Sequence, residues 1–280
     1  MIVTVVGLGV VGGSYCLALK NKNVDVYGID IDYKTLRKAK DMNIIKEGFM
    51  YNSIDSKDLV SKSDMLIVSI YPTKIKEFIE VYKSYFGEEL IITDVTGIKE
   101  KLISELEDIL PNHVDFIFGH PMAGREKRGI DYASSNVFEK ANFIITPTGK
   151  NKERHIKVVE DLAYDMGFSN VSRISPKEHD FIISFTSQLP HVLAVSLINS
   201  DDLAFDTGNF IGDSYRELTR IANINEDLWS ELFLGNKENL LTRIENFEKE
   251  LLKLKNCLLN DDDEVLKEIF KEATRRRERL

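Results

Sequence analysis

The opening stretch MIVTVVGLGVVGGS restricts the fold of this chain more than any other. Residues 2–6 form a short β-branched run, and GLGVVGGS fills Gly7 to Ser14. A helical pattern through Leu17, Ala18 and Leu19 follows, then a second strand-like run, VDVYGID, ending at Asp30. A G-x-G-x-x-G motif is informative only between a strand and a helix, and here it has that setting within one βαβ unit. Each glycine has its own task. Gly7 makes the turn, Gly9 lets backbone approach a pyrophosphate, and Gly12 lets the helix pack closely on the strand. The loop Gly7, Leu8, Gly9, Val10, Val11 and Gly12 thus presents a helix N-terminus, with unpaired N–H groups and a positive dipole end, to phosphates. Asp30 lies 18 residues beyond Gly12, where a carboxylate accepts hydrogen bonds from an adenosine ribose and repels a 2′-phosphate. The expected cofactor is NAD rather than NADP.

Alternation continues from there. Strand-like runs at 64–70, 90–95, 114–120 and 142–147 are separated by helical stretches at about 73–85 and 97–110. Such spacing predicts right-handed crossovers and an α/β, doubly wound, largely parallel sheet. Ligands of such sheets bind beyond the carboxyl ends of the strands. Tyr71, Asp94, Thr96 and His120 fall at those ends beside the glycine loop, so Tyr71 and Asp94 are candidates for cofactor contacts. His120 opens the turn-rich segment GHPMAGREKRG. Alone it reads either as a hydrogen-bonded turn residue or as an acid/base, and its place on the cofactor side favours the second.

Strand alternation largely stops after Pro147-Thr148-Gly149, which predicts two domains, 1–150 and 151–280, the second helical. In SPKEHDFIISFTSQLPHVLAVSLINS, Ser175, Pro176 and Glu178 make a capping-box start. Pro190 should kink this apolar helix near the carbonyl of Thr186. Ser187 and His191, four apart, share a face; they are either structurally bonded or part of a ligand site. In DSYRELTRIA, Arg216 and Arg220 lie one helical turn apart, suited either to an anionic ligand or to pairing on a solvated face. Leu240, Ile244, Phe247, Leu251, Leu254 and Leu258 form a seam with heptad-like spacing, fit for a two-fold partner or for another helix of the same chain.

A net charge of -9, with no basic face beyond TRRRER near the C-terminus, speaks against nucleic acid as a partner. No run of eighteen continuous apolar residues occurs, so no membrane partner is expected. The N-terminus opens straight into a strand without a secretory signal pattern. Two distant cysteines, Cys16 and Cys257, suggest neither a metal site nor a disulfide framework, and a cytoplasmic location is the expectation.

GLGVVGGS, GHPMAGREKRG, SFTSQLPHVLA, DSYRELTRIA and LWSELFLGNKENLL occur in the order seen in the prephenate dehydrogenase family, and the resemblance covers nearly the whole chain. It implies a Rossmann-type domain followed by an all-α dimerisation domain, with a homodimer as the assembly and the site between the two domains. The implied reaction is NAD-dependent oxidative decarboxylation of prephenate to 4-hydroxyphenylpyruvate. The alternative is the same chemistry on arogenate. The resemblance maps the catalytic histidine onto His120, substrate-binding residues onto Ser187 and His191, and the arginine that holds the ring carboxylate onto Arg220. Arg216, Arg125 and Glu126 are further candidates for substrate contacts. Gly97 stands where many relatives carry serine, and the neighbouring Thr96 is expected to supply the missing hydroxyl. Gln188 stands where histidine is frequent. A β-hydroxyacid dehydrogenase finds no matching lysine motif here, and a DNA-binding NAD sensor finds no basic face.

Overall fold

A computed structural model describes residues 1–20, 22, 24–124, 127–202 and 205–279. The first unit runs β1 (Ile2–Val6), α1 (Val10–Leu19), β2 (Asp25–Asp30), α2 (Tyr33–Asp41), β3 (Gly48–Met50), α3 (Ile54–Lys62), β4 (Met65–Val68) and α4 (Pro72–Tyr82). It continues through β5 (Ile91–Asp94), α5 (Glu100–Leu106), β6 (Asp115–Pro121), β7 (Asn142–Thr146), α6 (Glu153–Asp165) and β8 (Asn170–Arg173). The eight strands form one sheet in the order β3-β2-β1-β4-β5-β6-β7-β8. All neighbours are parallel except β6 and β7. The central strands are buried on both faces, which is why they read as unbroken apolar runs. One core holds Val3, Val5, Cys16, Leu19, Ile67 and Ile117 against α1, α2 and α6. The other holds Val6, Leu66, Val68, Phe78, Tyr82 and Leu102 against α3, α4 and α5. Because β1 lies between β2 and β4, the winding direction reverses there. A crevice opens at that point beyond the carboxyl ends of the strands.

The division expected at residue 150 falls inside this unit. β8 follows that point and pairs in parallel with β7, from Asn142↔Asn170 to Ile145↔Arg173. The sequence NVSR is a short, polar edge strand without the apolar run that marks the others, so it leaves no strand pattern in the sequence.

The helical unit contains α7 (Pro176–Ile183), α8 (Leu189–Asn199), α9 (Asp213–Thr219), α10 (Glu226–Gly235), α11 (Lys237–Leu259) and α12 (Asp263–Arg277). Ser175 and Glu178 form the expected capping box. Between α7 and α8, Ser184–Gln188 is a π-turn, in which the Leu189 N–H bonds back to Ser184. Pro190 can give no N–H to Thr186, and the widened turn absorbs that loss where a simple kink was expected. The continuous helix Pro176–Asn199 has a mean hydropathy of 1.6 and is long and apolar enough to cross a membrane by those measures. It contains no unbroken apolar run of eighteen residues, because polar residues interrupt it. Two of those, His179 and Asp180, are buried and bonded into the first unit.

Along α11, Leu240 is buried, whereas Leu251 and Leu258 are more than half exposed in the single chain. With Leu254, and with Leu266 and Phe270 of α12, they line an apolar groove of about 530 Å³.

Candidate active site

The glycine loop divides its labour as the motif predicts. Gly7 has φ of 85°, a conformation that disfavours side chains, and a Cβ there would lie 2.4 Å from the Ser69 carbonyl oxygen. A Cβ on Gly12 would lie 1.9 Å from the Gly7 oxygen, so the helix can approach only as glycine. Gly9, the N-cap of α1, has nothing within 4 Å of its Cβ direction. That open face at a helix N-terminus fits a phosphate. Leu8 and Val10 are buried and Val11 half-buried, so the loop's side chains anchor it while its backbone faces the crevice. Asp30 accepts the Leu8 N–H at 2.7 Å on one oxygen and the Asp32 N–H at 2.9 Å on the other. Each oxygen keeps a second lone pair for a ribose hydroxyl. Tyr71 caps α4 at the end of β4, and its hydroxyl takes a bond from Asn225 at 3.3 Å.

Asp94 and Thr96, expected at ligand contacts, have their side-chain oxygens bonded within the protein. Both are buried. One Asp94 oxygen accepts the Gly119 N–H at 3.0 Å; the other accepts the Thr96 N–H and hydroxyl and the Lys99 ammonium, the last at 2.6 Å. Thr96 Oγ1 also reaches the Ile98 carbonyl at 3.1 Å and takes a bond from Lys99 at 3.1 Å. With its bonds spent there, the Thr96 hydroxyl cannot replace a serine at Gly97. Lys99, fully buried, gives its third proton to the Gly119 carbonyl at 2.6 Å. This cluster ties the end of β5 to β6 one residue before His120.

His120 is half-buried on β6, and its Nδ1 lies 2.8 Å from Nε2 of His179. Nδ1 of His179 lies 2.7 Å from Asp180 Oδ1. Asp180 in turn accepts the backbone N–H groups of Lys99 and Glu100 at 2.8 and 2.9 Å. Burial first, then His179 and the Lys99 ammonium, hold the His120 pKa well below the usual imidazole range. Burial and Lys99 lower that of His179 to about 2. Both rings are therefore neutral at physiological pH. No described residue bonds His120 Nε2, and a Cβ on Gly97 would lie 3.6 Å from it.

α10 forms the facing wall. Leu232 comes within 3.4 Å of the Gly97 Cβ position, and Trp229, three residues earlier on the same helix, stacks on His191 with ring centroids 3.5 Å apart. His191 Nδ1 donates to the Ser187 carbonyl at 2.9 Å, and Ser187 is half-buried in the π-turn. α10 therefore touches both the Gly97 turn beside His120 and the ring of His191. Gln188 is buried and structural, donating to the Leu232 carbonyl and accepting from Asn236. Glu231 accepts both the N–H and the hydroxyl of Thr73 at the start of α4, and Arg128 pairs with Glu226, so α10 is latched to the first unit at two places. Arg216 is exposed and pairs with Asp213 at 3.3 Å. Arg220 lies beyond the end of α9, in a single 3₁₀ turn, so the two arginines are not on one regular helix as expected. Arg125 and Glu126 lie outside the described residues. Sequence reading missed His179, Asp180, Lys99 and Trp229. The adjacent His-Asp pair in the first turns of an apolar helix was the available signal, since buried polar groups need partners.

A glycine-loop crevice at the switch point of a parallel sheet, closed by a helical unit that brings a histidine chain to its edge, defines a nucleotide-dependent dehydrogenase. Family models place the chain within that class. The prephenate dehydrogenase nucleotide-binding domain matches residues 15–171, and the prephenate dehydrogenase dimerization domain matches residues 175–272. Prephenate dehydrogenase of Bacillus subtilis is 31% identical over 277 residues, covering 95% of this chain and 72% of that protein. Cyclohexadienyl dehydrogenase of Zymomonas mobilis is 27% identical, covering 98% and 94%. The crystal structure of prephenate dehydrogenase from A. aeolicus, in complex with hydroxyphenyl propionate and NAD+, superposes with a TM-score of 0.90 at 33% identity. It covers 100% of this chain and 98% of that one. The chain belongs to the prephenate dehydrogenase family.

Proposed function

We propose that the protein catalyses the NAD-dependent oxidative decarboxylation of prephenate to 4-hydroxyphenylpyruvate, a step of tyrosine biosynthesis, with His120 as the base. The observation that carries this reading is the chain His120–His179–Asp180, which leaves His120 Nε2 open at the carboxyl edge of the sheet. The carbinol O–H bond breaks toward His120 Nε2 as the carbinol C–H electrons leave as hydride, which NAD, when bound, accepts. The C–C bond to the ring carboxylate then breaks. Its electron pair enters the ring, carbon dioxide leaves, and the resulting phenolate oxygen takes back the proton held on His120 Nε2 to become the product's hydroxyl. Arg220 is the candidate for the ring carboxylate, with Ser187, His191 and Arg216 around the rest of the substrate. Arg125 and Glu126 keep the same role on the resemblance alone. Holding a dianion in line is chiefly positioning. NADH formation with prephenate and with arogenate, each tested with NAD and NADP, checks substrate and cofactor together. Turnover of arogenate alone would assign the chain to the runner-up reaction.

The lowered pKa of His120 sets the pH dependence. The neutral ring is the active form, so activity is retained as pH falls through 6.5, the ordinary imidazole value, and is lost only well below it. A pH series of kcat/KM checks this; an acid limb at or above 6.5 contradicts it.

Asp30→Ser is expected to relax discrimination against NADP by removing a repelling carboxylate from the ribose site. Measured kcat/KM for the two cofactors checks this, and a wild-type enzyme that already prefers NADP would remove Asp30 from that role.

The matched dimerization domain and the exposed leucines of α11 support a homodimer. Sedimentation should give a dimer at micromolar concentration, and Leu251→Asp with Leu258→Asp should give monomers. A wild-type monomer would leave the α11 groove to α12 alone. A cytoplasmic setting suits two buried free cysteines.

A further inference from the structure

We propose that His179 and Asp180 are positioning residues that fix the tautomer of His120, placing its proton on Nδ1 and its lone pair on Nε2. This inference rests on the reading of His120 as the base and adds what makes Nε2 the accepting atom. The argument is a count of protons. The N–H groups of Lys99 and Glu100 can only donate, and they fall on the two oxygens of Asp180. With the Lys99 ammonium nearby, they hold Asp180 as a carboxylate against the burial that raises its pKa. A carboxylate accepts only, so the 2.7 Å contact requires a proton on His179 Nδ1. His179 is a neutral ring buried at 0% exposure and carries one proton, so its Nε2 is bare. The 2.8 Å contact then requires the proton of His120 on Nδ1, which leaves Nε2 as the acceptor.

Nothing else in the described site can set this orientation. Gly97 brings no hydroxyl to Nε2, the Thr96 hydroxyl is spent on Asp94, Lys99 and the Ile98 carbonyl, and Leu232 on the facing helix is apolar. The charged and titratable groups packed around the ring are His179 and Asp180 from α7, Asp94 at the end of β5 and Lys99 from the β5–α5 connection. Lys99 is neutralised by Asp94. Asp180 is therefore the carboxylate in line with the imidazolium that forms when Nε2 takes the substrate proton. The same carboxylate holds the first turn of α5 to α7, so the junction of the two units and the orientation of the base share one group.

The test reads tautomers directly. In the NAD-bound enzyme with 15N-labelled histidine, His120 should show a protonated Nδ1 and an unprotonated Nε2. Asp180→Asn removes the pure acceptor. When its amide N–H₂ faces His179, both rings reverse and the His120 proton moves to Nε2. Such a reversal should lower kcat by about 100- to 10,000-fold, with little change in KM for prephenate or in NAD affinity. His179→Gln keeps an acceptor toward His120 and a donor toward Asp180, so it should retain more turnover than His179→Phe. A wild-type His120 protonated on Nε2 overturns the proposal, and this measurement stands even if a variant fails to fold. An Asp180→Asn enzyme whose His120 proton has moved to Nε2 and which still keeps wild-type kcat also overturns it. An active His120→Asn enzyme would instead overturn the underlying assignment of the base.

Discussion

His120→Asn is expected to lower kcat by about 100- to 10,000-fold, or roughly 3–5 kcal/mol of transition-state stabilisation, while NAD binds as before. Asparagine can still donate to His179 Nε2 through its amide, so the contact with α7 and the end of β6 should survive. What it loses is a basic nitrogen at the Nε2 position. The glycine loop and Asp30 sit at the ends of β1 and β2, with β4 and β5 between them and β6, so the cofactor's phosphate and ribose contacts should not notice the change. Turnover with saturating prephenate, together with NAD titration, checks both halves. Near-normal kcat would sink the assignment of His120 as the base.

Arg220→Ala is expected to reduce kcat/KM for prephenate by about 10- to 150-fold, from roughly 1.5–3 kcal/mol for hydrogen bonds to a charged group. Most of the loss should appear in KM, because the ring carboxylate is anionic before the reaction starts. A further drop in kcat is expected to the extent that the leaving carboxylate must be held in line. Arg220→Lys should recover only part of the loss, since a point charge lacks the planar fork that binds a carboxylate through two bonds. NAD affinity should be unchanged. Steady-state kinetics on the two variants settle this, and a wild-type KM in Arg220→Ala would confine this arginine to its neighbours in the helical unit.

The legible parts of this molecule were those whose causes are local. Gly7, Gly9 and Gly12 each answer a demand of one turn and one helix start, so their spacing was enough to read the loop, and Asp30 followed from the length of one βαβ unit. The apolar runs of β1, β4 and β5 and the capping box at Ser175 are likewise properties of a few adjacent residues. β8 escaped notice because an edge strand of four residues has no apolar pattern to show.

Burial and partner choice were decided by the tertiary structure. Asp94 and Thr96 sit at a strand end where a ligand contact was reasonable, yet Lys99 folds back under them and takes up their oxygens in the interior. The spacing of three to five residues allowed that contact without requiring it, since it depends on the path of the chain before α5. His179 lies 59 residues from His120 and Asp180 lies 81 from Lys99, so neither bond leaves a local trace. Sequence alone determined that this chain builds a dinucleotide crevice with a histidine at its rim, because backbone geometry and alternation are written locally. Which nitrogen of that histidine stays open was decided only when α7 packed against the end of β6, because a proton's place in a hydrogen-bond chain depends on its far end.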